Sequence, residues 1–229
     1  MADRPDDVEA LRRLDALTRR LRRECPWDRE QDERSIVPHT VEEAYELAAA
    51  ANTGDDAKLL DELGDVLFQV YFLSLLLEER GQGDLAAVAE HCRQKLIRRH
   101  PHVFGDTPAE DAATVLRNWD QIKRAEPGRG GEEVFHDLPQ NLPSLLYARK
   151  LLRRAASGSD FEHPPRDELL GRLREGLGEL EAAAGRDERF TTIGHLLFDC
   201  VALARDAGVD PELALRAAAD RFRETIEES

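Results

Sequence analysis

The sequence predicts an all-α protein made of two similar helical units. Leu, Ala, Arg and Glu dominate its 229 residues, and all four favour helices. Apolar residues recur with helical spacing along most of the chain, and Pro or Gly interrupts the pattern where helices should end. The second half also repeats the first: the segment Gly64–Phe68 (GDVLF) has a counterpart in Gly194–Phe198 (GHLLF). This repetition indicates a duplicated helical unit.

Each predicted helix begins or ends at a recognisable signal. Pro26 ends the first helix, and a loop over residues 27–37 leads to Pro38, which suits an early position in the second. Asp55 can cap the third helix, Gly81 follows it, and Pro101 follows the fourth. The predicted helices cover about residues 7–24, 40–51, 55–80, 84–99, 109–125, 142–156, 165–184, 187–207 and 211–228.

A change in composition separates the two halves. Residues 126–131 read Glu-Pro-Gly-Arg-Gly-Gly, which is typical of a flexible linker. We therefore expect a first domain over residues 1–126, a linker over 127–140 and a second helical domain over 141–229.

Charge and composition exclude several classes of function. The formal net charge of −15 argues against nucleic acid as a partner, since nonspecific affinity for it comes from basic surface. No apolar run is long enough to span a membrane, and the N-terminus lacks a signal-peptide profile, so we expect a cytoplasmic protein. The three cysteines, Cys25, Cys92 and Cys200, are far apart and indicate neither a zinc site nor disulfides.

Two acidic runs lie in otherwise apolar helical sequence and predict a metal site. Glu43 and Glu46 are three residues apart, as are Glu62 and Asp65, so each pair occupies one side of a helix. Carboxylates that converge in a half-buried groove repel one another and lose hydration. A hard divalent cation removes both penalties, and Mg²⁺ commonly binds carboxylates together with phosphates. Ordinary solvated helix faces are the alternative interpretation of these runs.

The acidic set is incomplete in the second half. Glu42 and Glu46 have counterparts in Glu175 and Glu179, but the other acids are replaced. Gly176 or a near neighbour stands for Glu43, Thr191 or Thr192 for Glu62, and His195 for Asp65. We infer that the second copy has lost the metal.

Five motifs in order make the first half resemble the MazG family of nucleoside triphosphate pyrophosphohydrolases. They are Cys25–Asp28 (CPWD) with Gln31, Glu42–Glu46 (EEAYE), Glu62–Asp65 (ELGD), Arg98–Phe104 (RRHPHVF) and Trp119–Lys123 (WDQIK). The second half is similar to the family's second repeat more weakly, and it ends without a second Trp-x-x-x-Lys helix. The resemblance implies tandem MazG-like four-helix-type units, Mg²⁺ dependence with Mn²⁺ as a substitute, and a homodimer. It also implies hydrolysis of (deoxy)nucleoside triphosphates to monophosphate and pyrophosphate.

The same resemblance implies roles for individual residues. Metal binding falls on Glu43, Glu46, Glu62 and Asp65, while Glu42 is a candidate to orient or deprotonate the attacking water. The implied substrate contacts are Trp27, His39, Lys58, Lys95, Arg98, Arg99, Trp119 and Lys123. Purely structural roles are the alternatives to substrate binding. Lys58 would then be a surface lysine, Lys95 and Arg98 would offset a helix dipole, and the two tryptophans would pack in the core.

The sequence leaves other interpretations open. Another phosphoribosyl or alarmone-type nucleotide could be the substrate, or the chain could be a non-catalytic nucleotide-sensing module. A di-iron bundle would need Glu-x-x-His pairs, which neither acidic run supplies. For Gly64, inside a helix, we expect close helix approach as the compensation. Nucleotide-pool cleansing is the expected role, and stress regulation is also compatible with the chemistry.

Overall fold

The computed structural model describes residues 5–108, 111–126, 134–135, 138–139 and 141–228, and it is all-α over them. The prediction of the fold class is confirmed. The helices are α1 Pro5–Glu24, α2 Pro26–Glu30, α3 Glu33–Thr53, α4 Asp56–Glu79, α5 Leu85–Arg99, α6 Pro101–Phe104, α7 Ala112–Ala125, α8 Ser144–Gly158, α9 Arg166–Ala182, α10 Arg186–Asp206 and α11 Pro211–Glu227.

The loop predicted over residues 27–37 is wrong. Helix α2 occupies part of it, and α3 begins at Glu33, well before the predicted start at Thr40. The cause is a capping box, in which Asp32 accepts from the Ser35 amide at 2.9 Å and Ser35 Oγ accepts from the Asp32 amide at 2.9 Å. Pro38 consequently lies inside α3 rather than at its start.

The chain divides into two compact units, Met1–Leu96 and Ile97–Ser229, called unit 1 and unit 2 here. This division falls earlier than the predicted end of the first domain. The predicted domain boundaries remain a prediction, and much of the predicted linker lies outside the described residues.

In unit 1, α3 and α4 form a helical hairpin. Gly54 ends α3 with a φ of 69°, a conformation that glycine adopts without strain, and Asp55 caps α4 by accepting from the Ala57 and Lys58 amides. The buried core of the hairpin contains Ile36, Phe72 and Leu76.

Helix α1 is held on the hairpin by two ion pairs. Arg19 contacts Glu78 at 2.6 Å, and Arg22 contacts Glu79 at 2.9 Å. The Arg19 guanidinium donates to both Glu78 oxygens and lowers the pKa of that carboxyl. These bidentate contacts fix α1 against the far end of α4.

Unit 2 contains a second helical hairpin, α9 and α10, against which α8 packs. Its buried core consists of Leu152, Leu169, Val201 and Ala202. The tandem arrangement of similar helical units is therefore visible in the fold. Among the described residues, none of the helices combines the length and apolar character needed to cross a membrane.

Candidate active site

Helices α3 and α4 bring together three of the predicted metal ligands. One carboxylate oxygen each from Glu43, Glu62 and Asp65 lies within 4.8 Å of the other two. Glu43 and Glu62 are half-buried, while Asp65 is exposed. The convergence follows from the hairpin, since Glu43 is on one helix and the other two acids occupy adjacent turns of its partner.

Mutual repulsion dominates the electrostatics of this cluster, and Lys58 offsets only part of it at Glu62. Burial raises the pKa of Glu43, and repulsion by Asp65, Glu46, Glu62 and Glu42 raises it further. Burial likewise raises the pKa of Glu62, with repulsion from neighbouring acids opposed by Lys58. Oε2 of Glu62 is buried and has no hydrogen-bond partner within the part of the chain that the structure describes. Such a set of oxygen donors fits a hard divalent cation.

Glu46 and Glu42 lie at the edge of this cluster. Glu46 is exposed and repels Glu43 and Glu62, but it does not belong to the group of three. Glu42 is also exposed, and its Oε2 lies 3.2 Å from Nδ1 of His39. The structure thus separates the acids into a converging group and a flanking pair.

A polar and aromatic cluster accompanies Glu42 on unit 1. The rings of Trp27 and His39 meet edge to face, with centroids 5.8 Å apart. Trp27 is 51% exposed, so its ring is not a core residue. The sequence predicted both residues as substrate contacts, and the structure places His39 next to Glu42, the candidate water-orienting acid, and Trp27 next to His39.

The two predicted lysine contacts of unit 1 differ in position. Lys58 lies in the first turn of α4 and lowers the pKa of Glu62 by its charge, which places it near the acidic cluster. Lys95 lies on α5 and is half-buried.

The remaining predicted contacts belong to unit 2 and form their own cluster. Arg99 is only 5% exposed and donates two hydrogen bonds to Glu126, while the exposed Arg98 lies 3.5 Å from the same carboxylate. The Arg99 guanidinium also sits over the ring of Trp119, 5.3 Å from its centroid. Arg99 therefore has a carboxylate partner that a phosphate would have to displace.

Two histidines lie in the same cluster, beside Trp119 of α7. His100 packs against Trp119 with ring centroids 4.8 Å apart, and His102 lies 5.5 Å from His100. Lys123 is half-buried on α7. Sequence reasoning missed Glu126, which the predicted linker motif concealed and which only tertiary structure brings to the two arginines.

The predicted reason for Gly64 is wrong. A Cβ atom at this position would meet no atom of the described residues within 4 Å, so α3 and α4 do not approach closely there. The expected close approach occurs in the other hairpin instead, where a Cβ on Gly176 would lie 2.8 Å from Cδ2 of Leu196.

The second-half counterparts of the acidic runs also face one another. Glu175, Gly176, Glu179, Thr192 and His195 line one cavity between α9 and α10. Among the described residues, a group of three converging metal-ligating atoms is found at Glu43, Glu62 and Asp65 and not in this cavity.

Carboxylates that converge between two helices of an all-α unit define a candidate metal-dependent enzyme. A sequence model of the MazG nucleotide pyrophosphohydrolase domain matches residues 31–104, which include α3, α4 and all the acidic ligands. The match therefore covers the part of the chain that carries the site.

Several relatives are similar over most of the chain. A nucleoside triphosphate pyrophosphohydrolase of Escherichia coli strain K12 is 37% identical, over 96% of this chain and 87% of that protein. The nucleoside triphosphate pyrophosphohydrolase/pyrophosphatase MazG of Thermotoga maritima is 38% identical, over 87% of this chain and 76% of that protein. A nucleoside triphosphate pyrophosphohydrolase of Mycobacterium tuberculosis is 32% identical, over 72% and 51% respectively.

The chain belongs to the MazG family of nucleotide pyrophosphohydrolases. The predicted family and the predicted class of enzyme, a hydrolase acting on phosphorus anhydrides, are confirmed.

Proposed function

We propose that this chain hydrolyses (deoxy)nucleoside triphosphates at the α–β bond, giving nucleoside monophosphate and pyrophosphate, and that the reaction depends on Mg²⁺. The observation that carries the proposal is the convergence of Glu43, Glu62 and Asp65 from two helices within 4.8 Å. The names of the relatives, nucleoside triphosphate pyrophosphohydrolases, support the substrate class.

Glu43, Glu62 and Asp65, with Glu46 beside them, would hold the metal. The raised pKa of Glu43 and of Glu62 and the unpartnered Glu62 oxygen are the features that a bound cation would relieve. Mg²⁺, or Mn²⁺ in its place, would neutralise triphosphate charge and lower the pKa of a bound water.

Glu42 is the residue we propose to orient the attacking water and accept its proton. It is exposed, and its Oε2 faces Nδ1 of His39 at 3.2 Å, which restricts the carboxylate's orientation. The water oxygen forms the new bond to the α-phosphorus, the bond from that phosphorus to the bridging oxygen breaks, and pyrophosphate leaves. The water proton passes to a carboxylate oxygen of Glu42.

The cationic and aromatic residues would bind the rest of the substrate. On unit 1, Lys58 and Lys95 would stabilise negative charge on the phosphates. On unit 2, Arg98 and Arg99 stay substrate contacts that the family resemblance implies, and Arg99 would have to release Glu126 to bind a phosphate. Trp27, with half of its surface exposed, provides a face on which a base can stack. His39, Trp119 and Lys123 complete the proposed substrate contacts.

We also propose that the protein acts as a homodimer. Apolar side chains spaced along one side of α4 are exposed: Leu60 at 74%, Leu63 at 49%, Leu67 at 37% and Val70 at 39%. A contiguous apolar stripe of this kind is typical of a protein–protein interface. We expect sedimentation to give twice the chain mass for the natural protein and the chain mass for Leu63→Glu. A natural protein that sediments as a monomer at micromolar concentration would contradict the dimer.

A product assay tests the activity. The purified chain is incubated with a panel of nucleoside triphosphates and Mg²⁺, and the products are separated by ion exchange, with Glu62→Gln in parallel. We expect monophosphate and pyrophosphate from the natural chain and neither from the variant. Diphosphate with phosphate would refute cleavage at the α–β bond, and absence of turnover with every triphosphate would refute the substrate class.

A further inference from the structure

A cavity in unit 2 is lined by cationic side chains and takes no part in the site proposed above. Its volume is about 530 Å³, a size that suits a small ligand, and α7, α8 and α10 contribute to its walls. The cationic residues are Arg149, Arg153 and Arg205, with His163 among them. Asp120 also lines the cavity, so three arginines face one carboxylate and the lining carries a net positive charge.

Two of the three arginines already have carboxylate partners. Arg153 donates to both oxygens of Asp120, at 2.7 and 3.1 Å, and this ion pair joins α8 to α7. Arg149 donates to Asp210, the residue that caps α11. Their charges are therefore partly neutralised within the protein.

Arg205 is different, because it forms no ion pair with any of the residues that the structure describes. It is half-buried, and its hydrogen-bond contact is Nη1 to Nδ1 of His163 at 3.4 Å. Burial lowers the pKa of Arg205, and repulsion by Arg153 lowers it further, although Asp120 partly opposes this. The surroundings thus disfavour a positive charge that the side chain nevertheless retains.

His163 adds a second unmet requirement at the same place. A guanidinium only donates, so the contact with Arg205 makes Nδ1 of His163 the acceptor and leaves the ring hydrogen on Nε2. Nε2 is buried and makes no hydrogen bond of normal geometry among the described residues. Burial and Arg205 lower the pKa of the His163 ring, although a contact with the Ala202 backbone raises it against them. A buried donor without an acceptor is unfavourable, and native structures usually satisfy it with water, an ion or a ligand.

We propose that this cavity binds a small phosphorylated anion through Arg205 and Nε2–H of His163. Guanidinium groups and phosphoryl oxygens form strong charge-assisted hydrogen bonds, and one such anion would satisfy both residues together. Leu116, Phe161 and Val209 line the same cavity and offer apolar surface to a sugar or base. The ligand class is therefore a phosphate ester or pyrophosphate.

A simpler role for Arg205 accounts for only part of the observations. It lies in the last turn of α10, where a cation offsets the helix dipole. That role explains neither the unpartnered Nε2 of His163 nor the placement of Arg205 beside Arg153. Removing the charge of Arg205 should raise the stability of the anion-free chain if the residue serves an anion site, and should lower it if the residue only offsets the helix dipole. One set of variants therefore separates the two roles.

The test is thermal melting and calorimetric titration of the full chain with EDTA present. The probes are inorganic phosphate, pyrophosphate and adenosine 5′-monophosphate, with sodium chloride at matched ionic strength as the control. We expect at least one phosphorylated probe to raise Tm by about 5 °C or more at a concentration about 100 times its Kd. Sodium chloride should not reproduce this rise.

Arg205→Gln should raise Tm in the absence of the anion and weaken binding of that probe about tenfold or more. Arg205→Lys, which keeps the charge but loses the planar fork, should bind with intermediate affinity. Arg221→Gln is the matched control, since it removes the same charge from an exposed position on α11 and should change neither property.

Two results would overturn the proposal. One is a natural chain that no phosphorylated probe stabilises beyond the effect of sodium chloride. The other is an Arg205→Gln variant that binds the probes as tightly as the natural chain does. That result would place the bound anion elsewhere. A lower Tm of Arg205→Gln with no effect of any anion would assign Arg205 to the helix dipole.

Discussion

The two helical hairpins, α3–α4 and α9–α10, share an architecture and differ in the side chains that face the groove. The first brings Glu43, Glu62 and Asp65 within 4.8 Å of one another. The second presents Gly176 and Thr192 in its cavity, beside two glutamates. Pairing of two helices is therefore not enough to form the acidic cluster. The cluster also needs carboxylates at particular positions on both helices.

The two hairpins also differ in how closely their helices pack beside a glycine. In the second hairpin Leu196 occupies the space beside Gly176, where a Cβ would lie 2.8 Å from its methyl group. In the first hairpin the space beside Gly64 is open. The second hairpin is closely packed at Gly176, beside its cavity, whereas the first has open space at Gly64 and carboxylates that repel one another.

The largest expected effect separates the hairpins by activity. Glu43→Gln should reduce kcat/KM for triphosphate hydrolysis by about 100-fold or more, since it removes a charge from the proposed metal site. Glu175→Gln, the matched change in the second hairpin, should leave kcat/KM within about twofold. Pyrophosphate release measures both. Equal losses in the two variants, with circular dichroism unchanged, would show that the second hairpin shares in catalysis.

Stabilisation by metal should be the next largest effect. We expect saturating Mg²⁺ to raise the Tm of the natural chain by about 5–10 °C at a concentration about 100 times its Kd. Asp65→Asn should lose most of this rise, whereas Glu179→Gln should keep it. Differential scanning calorimetry measures the shift, and a full Mg²⁺ effect in Asp65→Asn would contradict the assignment of the site.

The pH dependence of the metal-free chain should distinguish the hairpins more subtly. The pKa of Glu62 is raised from its ordinary value of 4.5, so ionising it costs stability as pH rises through the folded-state pKa. Glu62→Gln in EDTA should therefore have a higher Tm than the natural chain at pH 7. This advantage should shrink as pH falls through the raised pKa of Glu62 and should be gone below 4.5, where the natural side chain is protonated in both states.

Glu179→Gln on α9 is the matched variant that removes one charge from the second hairpin, and it is measured in EDTA over the same pH range. If Glu62→Gln instead lowers Tm at pH 7 in EDTA, Glu62 stabilises the metal-free fold. That result would contradict a destabilising repulsion between Glu62 and the neighbouring acids.

The smallest expected effect concerns the two glycines. Gly64→Ala should raise the free energy of unfolding by about 0.5–1 kcal/mol, because alanine favours helix and the space is open. Gly176→Ala should fall short of that gain by about 1 kcal/mol, because Leu196 must shift. Urea denaturation at matched protein concentration measures both. Equal gains would mean that the close packing in the second hairpin carries no energetic cost.

The sequence was sufficient to predict much of this molecule. Helical periodicity located the long helices, and the i, i+3 spacing of the acids placed Glu62 and Asp65 on one side of α4. These features depend on local sequence. Motif order in the first half then identified the family.

What the sequence could not predict depends on contacts between distant residues. The capping box at Asp32 extended α3 beyond Pro38, which had suggested a later start. The pairing of Glu126 with Arg98 and Arg99 and the open space beside Gly64 follow from tertiary packing. The charge imbalance at Arg205 likewise appears only when α10 lies against α8 and the segment that carries His163.

The most direct test of the account locates a bound metal in the full chain. Mn²⁺ broadens the NMR signals of nearby amides, so titration at a few per cent occupancy marks its site. We predict loss of the signals around Glu43, Glu62 and Asp65 on α3 and α4, with those around Glu175 and Glu179 on α9 retained. Broadening on α9 and α10 with α3 and α4 unaffected would contradict the central claim that the first hairpin holds the metal.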